Sequence, residues 1–253
     1  FHISSLIDNN LIPVQTYTLE MVQALIALTS YNGKFFADGA KTGVFFVEAY
    51  HPYEVLRKSG ADITFVSETG TFGWDEHSLS ADFLQGEDRE VYENAEHPFM
   101  QAIKTIKKPS EIDASEYDLF FAAGGHGCLF DFPTATGLQE IFLAIWQNHG
   151  VVAAVCHGPC LFENARDSRG EYFLKGKKAT GFTDEGEAIL QLDQIMVDMN
   201  LKAPKHGIEA NGGTYVQPAD PWSSFTVTDG KFVTGVNPAS ASETTQKAID
   251  ALA

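Results

Sequence analysis

The chain reads as an α/β domain, a mostly parallel sheet with helices on both faces, and three observations lead there. Two strand–helix–strand alternations are legible, one between Gln23 and Glu68 and one between Tyr117 and Cys156. The candidate strands are short unbroken apolar runs, as expected of strands buried on both sides. The last of them, VVAAVC, runs straight into a cysteine with Ala154 two residues before it and Gly158 two after. Small flanking residues are what a sharp strand-to-helix turn needs when it lifts a nucleophile off a strand end.

Taken in order, Phe1–Glu20 lack Lys and Arg and show no sustained periodicity, so residues 1–20 read as an amino-terminal extension to which no function is assigned. Residues 21–253 read as a single domain. QALIALT suits a buried strand, although length alone leaves a helix open, and the segment that follows settles it: Thr42–Ser59 carries apolar residues at helical spacing and stops at Gly60, a favourable C-terminal cap. ADITFVSE is the next strand, completing a βαβ unit whose crossover should be right-handed. Between Glu68 and Pro109 the texture turns polar and acidic, suggesting an insertion over the sheet edge, with Glu87, Asp88 and Glu90 on a solvated face. YDLFFAAGG, TGLQEIFLAIWQNHG and VVAAVC repeat the strand, helix, strand order. Near the carboxyl end, FTVT and KFVTG flank Asp229–Gly230, a hairpin turn signal, and Asn237–Pro238 supplies the cap and first position of a final helix.

Composition narrows the function classes. Seventeen Lys and Arg against 34 Asp and Glu leave a formal charge of −17 over 253 residues. A broad phosphate-binding face needs clustered cations, so neither nucleic acid nor an anionic membrane is an expected partner. No apolar run reaches the length of a membrane span, and the first residues lack the pattern of a signal peptide. An odd count of three cysteines without a CxxC pair argues against a disulfide framework or a zinc site. The expected setting is the cytoplasm, with the nucleus left open.

The chemistry is concentrated in VVAAVCHGPC. Pro159 suits the first turn of a following helix, which would place Cys156 at a helix N-terminus, where partial positive charge favours thiolate. An inert cysteine at the end of a core strand is the competing reading, and the small–x–Cys–His–Gly setting tips the balance toward the nucleophile. His157 is suited to proton transfer near neutral pH, though adjacent residues need not touch. A second loop, Ala123-Gly124-Gly125-His126-Gly127-Cys128, should lie at the same sheet edge, and its consecutive glycines offer backbone amides for an oxyanion. His126 and Cys128 there border a pocket or stabilise the loop. Glu48 sits within the apolar FFVEAY; buried it would need a partner or a proton, exposed it would be ordinary. Glu187 by itself reads as an acid complementing a helix N-terminus.

In this order ALTSYN, FFADGAKTGVFFVEAYHPYEVLRKSG, FVSETGTFGWDEHS, AGGHGCLFDFP, VVAAVCHGP, GFTDEGE and VTGVNPASA closely resemble the PfpI-type superfamily of the class I glutamine amidotransferase-like fold. More narrowly they resemble its fungal-type subgroup of glutathione-independent glyoxalase III enzymes, also described as heat-shock chaperone-like. The resemblance covers Met21 to Ala253. It implies a flavodoxin-like three-layer sandwich with a nucleophile elbow, Cys156 as nucleophile, His157 as its neighbour, Glu187 as the partner of the histidine and Glu48 as the proton-handling carboxyl. Gly125 and His157 would supply oxyanion donors from their backbones, with Gly124 and His126 in the same pocket. It further implies a homodimer and a stress-response setting. Cys128 departs from the smaller residue expected there.

On that basis the expected activity is conversion of methylglyoxal to lactate through a Cys156 hemithioacetal, without glutathione, cofactor or metal. The rivals are a cysteine hydrolase of the amidase or peptidase kind on the same triad, a holding chaperone for unfolded proteins, and a redox sensor. A buried, narrow site favours a three-carbon 2-oxoaldehyde; an open groove favours peptides.

Overall fold

Strand β1 (Gln23–Leu28) opens the core of the computed structural model, which describes residues 21–253; the expected extension, 1–20, lies outside the described residues. Helix α1 (Phe46–Lys58) follows and ends with Gly60 at φ 85°, the left-handed cap foreseen from the sequence. Then come β2 (Asp62–Ser67), β3 (Leu119–Ala122), α2 (Thr136–Gln147) and β4 (Val151–Val155). The chain closes with helix α3 (Asp184–Ile189), strands β5 (Thr226–Asp229) and β6 (Phe232–Gly235), and helix α4 (Ala241–Asp250).

These strands form one six-stranded sheet in the order β2-β1-β3-β4-β6-β5, parallel except for the β5/β6 hairpin. Gly230 turns that hairpin with φ 61°. The Asn237 side chain accepts the Ser240 amide, capping a short 3₁₀ turn that leads into α4, so the cap lies where the sequence placed it and the α-helix itself begins one turn later.

Alternate residues of each strand face opposite layers, as the period of a strand requires. Leu25, Ala27, Phe120, Ala122, Val152 and Ala154 pack with α2 and the 160–174 segment. Ala24, Ile26, Phe121, Ala153 and Val155 pack with α1 and α4. Burial on both faces explains why these strands read as continuous apolar runs. The stretch after β2 is a string of short helical turns, and Lys107 bridges back to Val66 at the β2 edge of the sheet. Among the described residues no helix is long and apolar enough to cross a membrane.

Two links of this topology position the site. The strand order reverses direction between β1 and β3, the switch point at whose carboxyl end open α/β sheets form a crevice. The parallel register sets Ala27, Ala122 and Ala154 side by side, so Gly124 and Cys156, each two residues further on, emerge together at that edge.

Candidate active site

Cys156 has φ 59°, in the left-handed region that a residue with a Cβ occupies at a cost of about 1–3 kcal/mol. Its amide donates to the Gly235 carbonyl and its own carbonyl accepts from the Phe182 amide, both at 2.9 Å, so the strained peptide is held from two sides. The turn stays tight because Gly158 presses on β3: a Cβ there would lie 2.4 Å from the Ala122 carbonyl oxygen.

The segment after this elbow differs from the sequence expectation. Gly158–Phe162 is a five-residue 3₁₀ helix, too short to carry the dipole of a full α-helix. Cys156 is only 4% exposed, and burial pushes its thiol well up, as a charge on Glu48 would also do. That direction runs against the dipole-stabilised thiolate foreseen from the sequence. Activation of the sulfur therefore has to come from a base beside it.

That base is His157. Its Nδ1 lies 3.3 Å from Cys156 Sγ and its Nε2 lies 2.6 Å from Glu187 Oε1. A carboxylate accepts only, so Nε2 carries the proton and Nδ1 turns a lone pair toward the thiol. The ring is fully buried; burial, reinforced by the charge of His126, lowers its pKa to about 4. The imidazole is neutral at pH 7 and ready to accept.

Glu187 owes its position to a helix start. Thr183 caps α3 by accepting the Gly186 amide at 2.8 Å, and the Glu187 amide donates to the Thr183 carbonyl. One residue earlier, Phe182 is the residue that binds the Cys156 carbonyl, so the carboxylate and the nucleophile share one stretch of backbone. His126 Nε2 donates to the second oxygen of Glu187 at 2.9 Å. Burial alone would raise this carboxyl, yet the two histidines hold it well below the usual carboxylate range. His126 was expected at the pocket or as a loop brace, and it does both.

Glu48 approaches from α1, and here the alternative left open by the sequence is resolved: the side chain is fully buried. Helix α1 has no side-chain cap from Phe45. Instead the Phe45 amide donates to the Gly124 carbonyl at 3.1 Å and the Phe46 amide to Ser78 Oγ at 3.2 Å. Ser78 is itself held by Asp75, a buried acid that also accepts Thr42 Oγ1 at 2.7 Å. Asp75 and Ser78 were missed as site residues, although both lie inside FVSETGTFGWDEHS; only their distance in space to α1 reveals what they do.

Neither carboxyl oxygen of Glu48 has a hydrogen-bond partner among the described residues. Burial pushes the group up to about 8, an effect that the neighbouring Cys156 sulfur offsets in part. Glu48 is thus a neutral acid at pH 7, with its proton unspent beside the nucleophile. Gly124 makes the approach feasible, since a Cβ there would lie 2.3 Å from Glu48 Oε2 and 2.8 Å from Cys156 Cβ. Gly124→Ala should therefore overpack the site and lower stability by about 1–3 kcal/mol; a urea unfolding midpoint equal to wild type would show that the contact is looser than drawn.

The next residue, Gly125, has φ 113°, and its missing Cβ would meet the Gly43 carbonyl oxygen at 2.2 Å. The amides of Gly125 and His157 donate to no acceptor among the described residues, as groups meant for an incoming oxyanion would. Cys128, in contrast, is fully buried and directs its thiol to the Ala123 carbonyl at 3.4 Å, so it braces the loop. Cys160 is likewise part of the core.

A cavity of about 310 Å³ opens beside these groups, lined by Phe36, Phe45, Asp75, His77, Phe83 and His126 among others. His126 is part of its lining, and its ring lies against that of His157 with centroids 4.1 Å apart. Cys156 itself does not line this cavity and is 4% exposed. The ligand atoms of His126, His157 and Glu187 lie within 4.8 Å of one another, a closeness that the two imidazole-to-carboxylate hydrogen bonds account for.

With this geometry in hand, comparison with known proteins is informative. Residues 40–251 match the profile of the DJ-1/PfpI family. The chain is 54% identical over 232 residues to Glyoxalase 3 of Candida albicans, covering 91% of this chain and 98% of that protein. It is 51% identical over 231 residues to the glutathione-independent glyoxalase HSP31 of Saccharomyces cerevisiae, with the same coverage of 91% and 98%. Among solved structures, glyoxalase III from Candida albicans superposes with a TM-score of 0.89, covering 91% of this chain and 97% of that one.

Proposed function

Because the chain belongs to the DJ-1/PfpI family, and because its nearly buried thiol lies beside a neutral imidazole and near a buried neutral carboxyl, we propose that it is a glutathione-independent glyoxalase III converting methylglyoxal to lactate. One observation carries this reading: Cys156, His157 and Glu187 form a hydrogen-bonded line, while the buried Glu48 lies near the same sulfur with neither carboxyl oxygen hydrogen-bonded among the described residues.

The chemistry follows from those four groups. Sulfur attacks the aldehyde carbon C1 as His157 Nδ1 takes the thiol proton and Glu48 gives its proton to the aldehyde oxygen, with the Gly125 and His157 amides meeting the charge that develops on it. The product is a hemithioacetal. Glu48, now a carboxylate, removes the proton on C1, and the ketone oxygen on C2 takes the proton from His157, giving an enediol. Glu48 then protonates C2 while the C1 hydroxyl proton passes to His157, which leaves a lactoyl thioester. Water adds to the thioester and loses one proton to Glu48; the sulfur departs and recovers its proton from His157. Lactic acid is released and ionises. C1 has been oxidised and C2 reduced, so the electrons never leave the substrate.

Enclosure of the sulfur favours a three-carbon aldehyde over a peptide, which separates this reading from a cysteine hydrolase. Purified protein supplied with methylglyoxal and no glutathione should form lactate, followed by an enantiomer-specific assay; absence of lactate would sink the proposal. The three free cysteines suit a reducing compartment, and we place the enzyme in the cytoplasm as a homodimer, the latter to be checked by light scattering.

Glu187→Gln should keep the hydrogen bond to one histidine but lose the charge that stabilises protonated His157, and lactate formation should drop by about 10²- to 10⁴-fold. The kcat/KM profile should be flat between two limbs. Its acid limb follows protonation of His157 near pH 4, which removes the base. Its alkaline limb follows loss of the Glu48 proton near pH 8, which removes the acid.

A further inference from the structure

His126 holds a position that the four-group mechanism leaves unexplained. Its Nε2 is committed to Glu187, while Nδ1 makes no hydrogen bond among the described residues. The residue is 7% exposed, and the surface it shows belongs to the cavity wall. Its ring orientation is fixed by Phe35, stacked at 5.1 Å, and by the edges of Phe36 and Phe182, both at 6.0 Å. A rigid, half-satisfied imidazole thus sits between the cavity and the His157 ring.

We propose that His126 recognises the second carbonyl of the substrate, its Nδ1–H donating to the ketone oxygen of a 2-oxoaldehyde whose aldehyde carbon is bonded to Cys156. The inference rests on the glyoxalase reading and adds to it the residue that separates 2-oxoaldehydes from simple aldehydes. For Nδ1 to donate while Nε2 is bonded to a carboxylate, the ring must carry a positive charge. The charged groups facing it are Glu187 and, across the cavity, Asp75, and both favour that charge; burial opposes it, and the balance raises the pKa of His126 above its ordinary value. His157, the other titratable group in contact, is neutral in the resting enzyme; once it has taken the thiol proton it opposes the charge on His126, and the Glu187 carboxylate shared by the two rings offsets that repulsion. His77 lies on the same cavity but is paired with Asp38 at 2.9 Å. A hydrogen bond from a cation to the C2 oxygen also stabilises the enediol, in which that oxygen gains electron density.

The test compares two ligands of equal carbon number: methylglyoxal as substrate, and propanal, which lacks the 2-oxo group, as a reversible inhibitor forming a hemithioacetal at Cys156. In His126→Gln the amide reproduces the donor to Glu187 but offers nothing at the Nδ1 position; His126→Phe removes both. Either variant should lose about 100-fold in kcat/KM for methylglyoxal while the propanal inhibition constant stays within about threefold of wild type. Should the phenylalanine variant fail to fold, judged by near-ultraviolet circular dichroism, the glutamine variant decides alone. A parallel weakening of both ligands would assign His126 to scaffolding only, and unchanged methylglyoxal kinetics in His126→Gln would dismiss Nδ1 as a donor; either overturns the inference while the glyoxalase reading stands. A wild-type enzyme that forms no lactate overturns both.

Discussion

Cys156→Ala protein will form lactate at least about 10³-fold more slowly than wild type, because every covalent step begins and ends on that sulfur. Cys156→Ser should be as inactive although nearly isosteric, since a hydroxyl is a far weaker acid and His157 at 3.3 Å cannot activate it to the same degree. The serine variant matters because the left-handed backbone at this residue is held by Gly235 and Phe182 through main-chain atoms alone, so the elbow should survive the change. Lactate formation by either variant above about one tenth of the wild-type rate would move the nucleophile elsewhere, with Cys128 and Cys160 the remaining thiols. Their full burial and their roles in loop and core argue that neither will substitute.

The second large effect is expected at Glu48. Glutamine fills the same space but can neither give a proton to the aldehyde oxygen nor take one from C1, so Glu48→Gln should lose about 10²- to 10⁴-fold in kcat, the usual range for a general acid–base group. The same variant should change how stability depends on pH. The folded-state value of about 8 lies above that of an unfolded glutamate, near 4.3. Below both values the group is protonated in either state and its contribution is fully present. Between them only the unfolded chain ionises, so the contribution is lost as pH rises, at about 1.4 kcal/mol per pH unit. Wild type should thus lose stability relative to Glu48→Gln from about pH 4.5 to about pH 8, measured as the difference in urea unfolding free energies. Parallel curves across that window would mean that the carboxyl is ionised in the folded enzyme, and the acid–base role assigned to it would fall.

These two residues also mark how far the sequence could be read. Cys156 announces itself locally: a buried strand, two small flanking residues and an adjacent histidine describe the elbow through nearest neighbours alone, and the positive φ confirms it. Glu48 could not be placed by its neighbours, because an amphipathic helix admits an acid on either face. Which face looks inward depends on Gly124 and Ser78 gripping the start of α1. The ionisation of the sulfur is beyond local reading for a related reason. Helix-terminus reasoning is local, whereas desolvation depends on everything packed around the atom, and burial outweighed a 3₁₀ segment of five residues.

The order of strands and helices, the elbow, the capped turn before α4 and the glycine loop were therefore written in the linear pattern of small, apolar and turn-forming residues, because strand period and backbone sterics act over a few positions. The Asp75–Ser78 brace, the sharing of Glu187 by two histidines, the unspent proton of Glu48 and the unbonded nitrogen of His126 came only with the tertiary structure. Each depends on residues dozens of positions apart, and the charge of a buried group is set by its neighbours in space and by the exclusion of water, neither of which local sequence encodes.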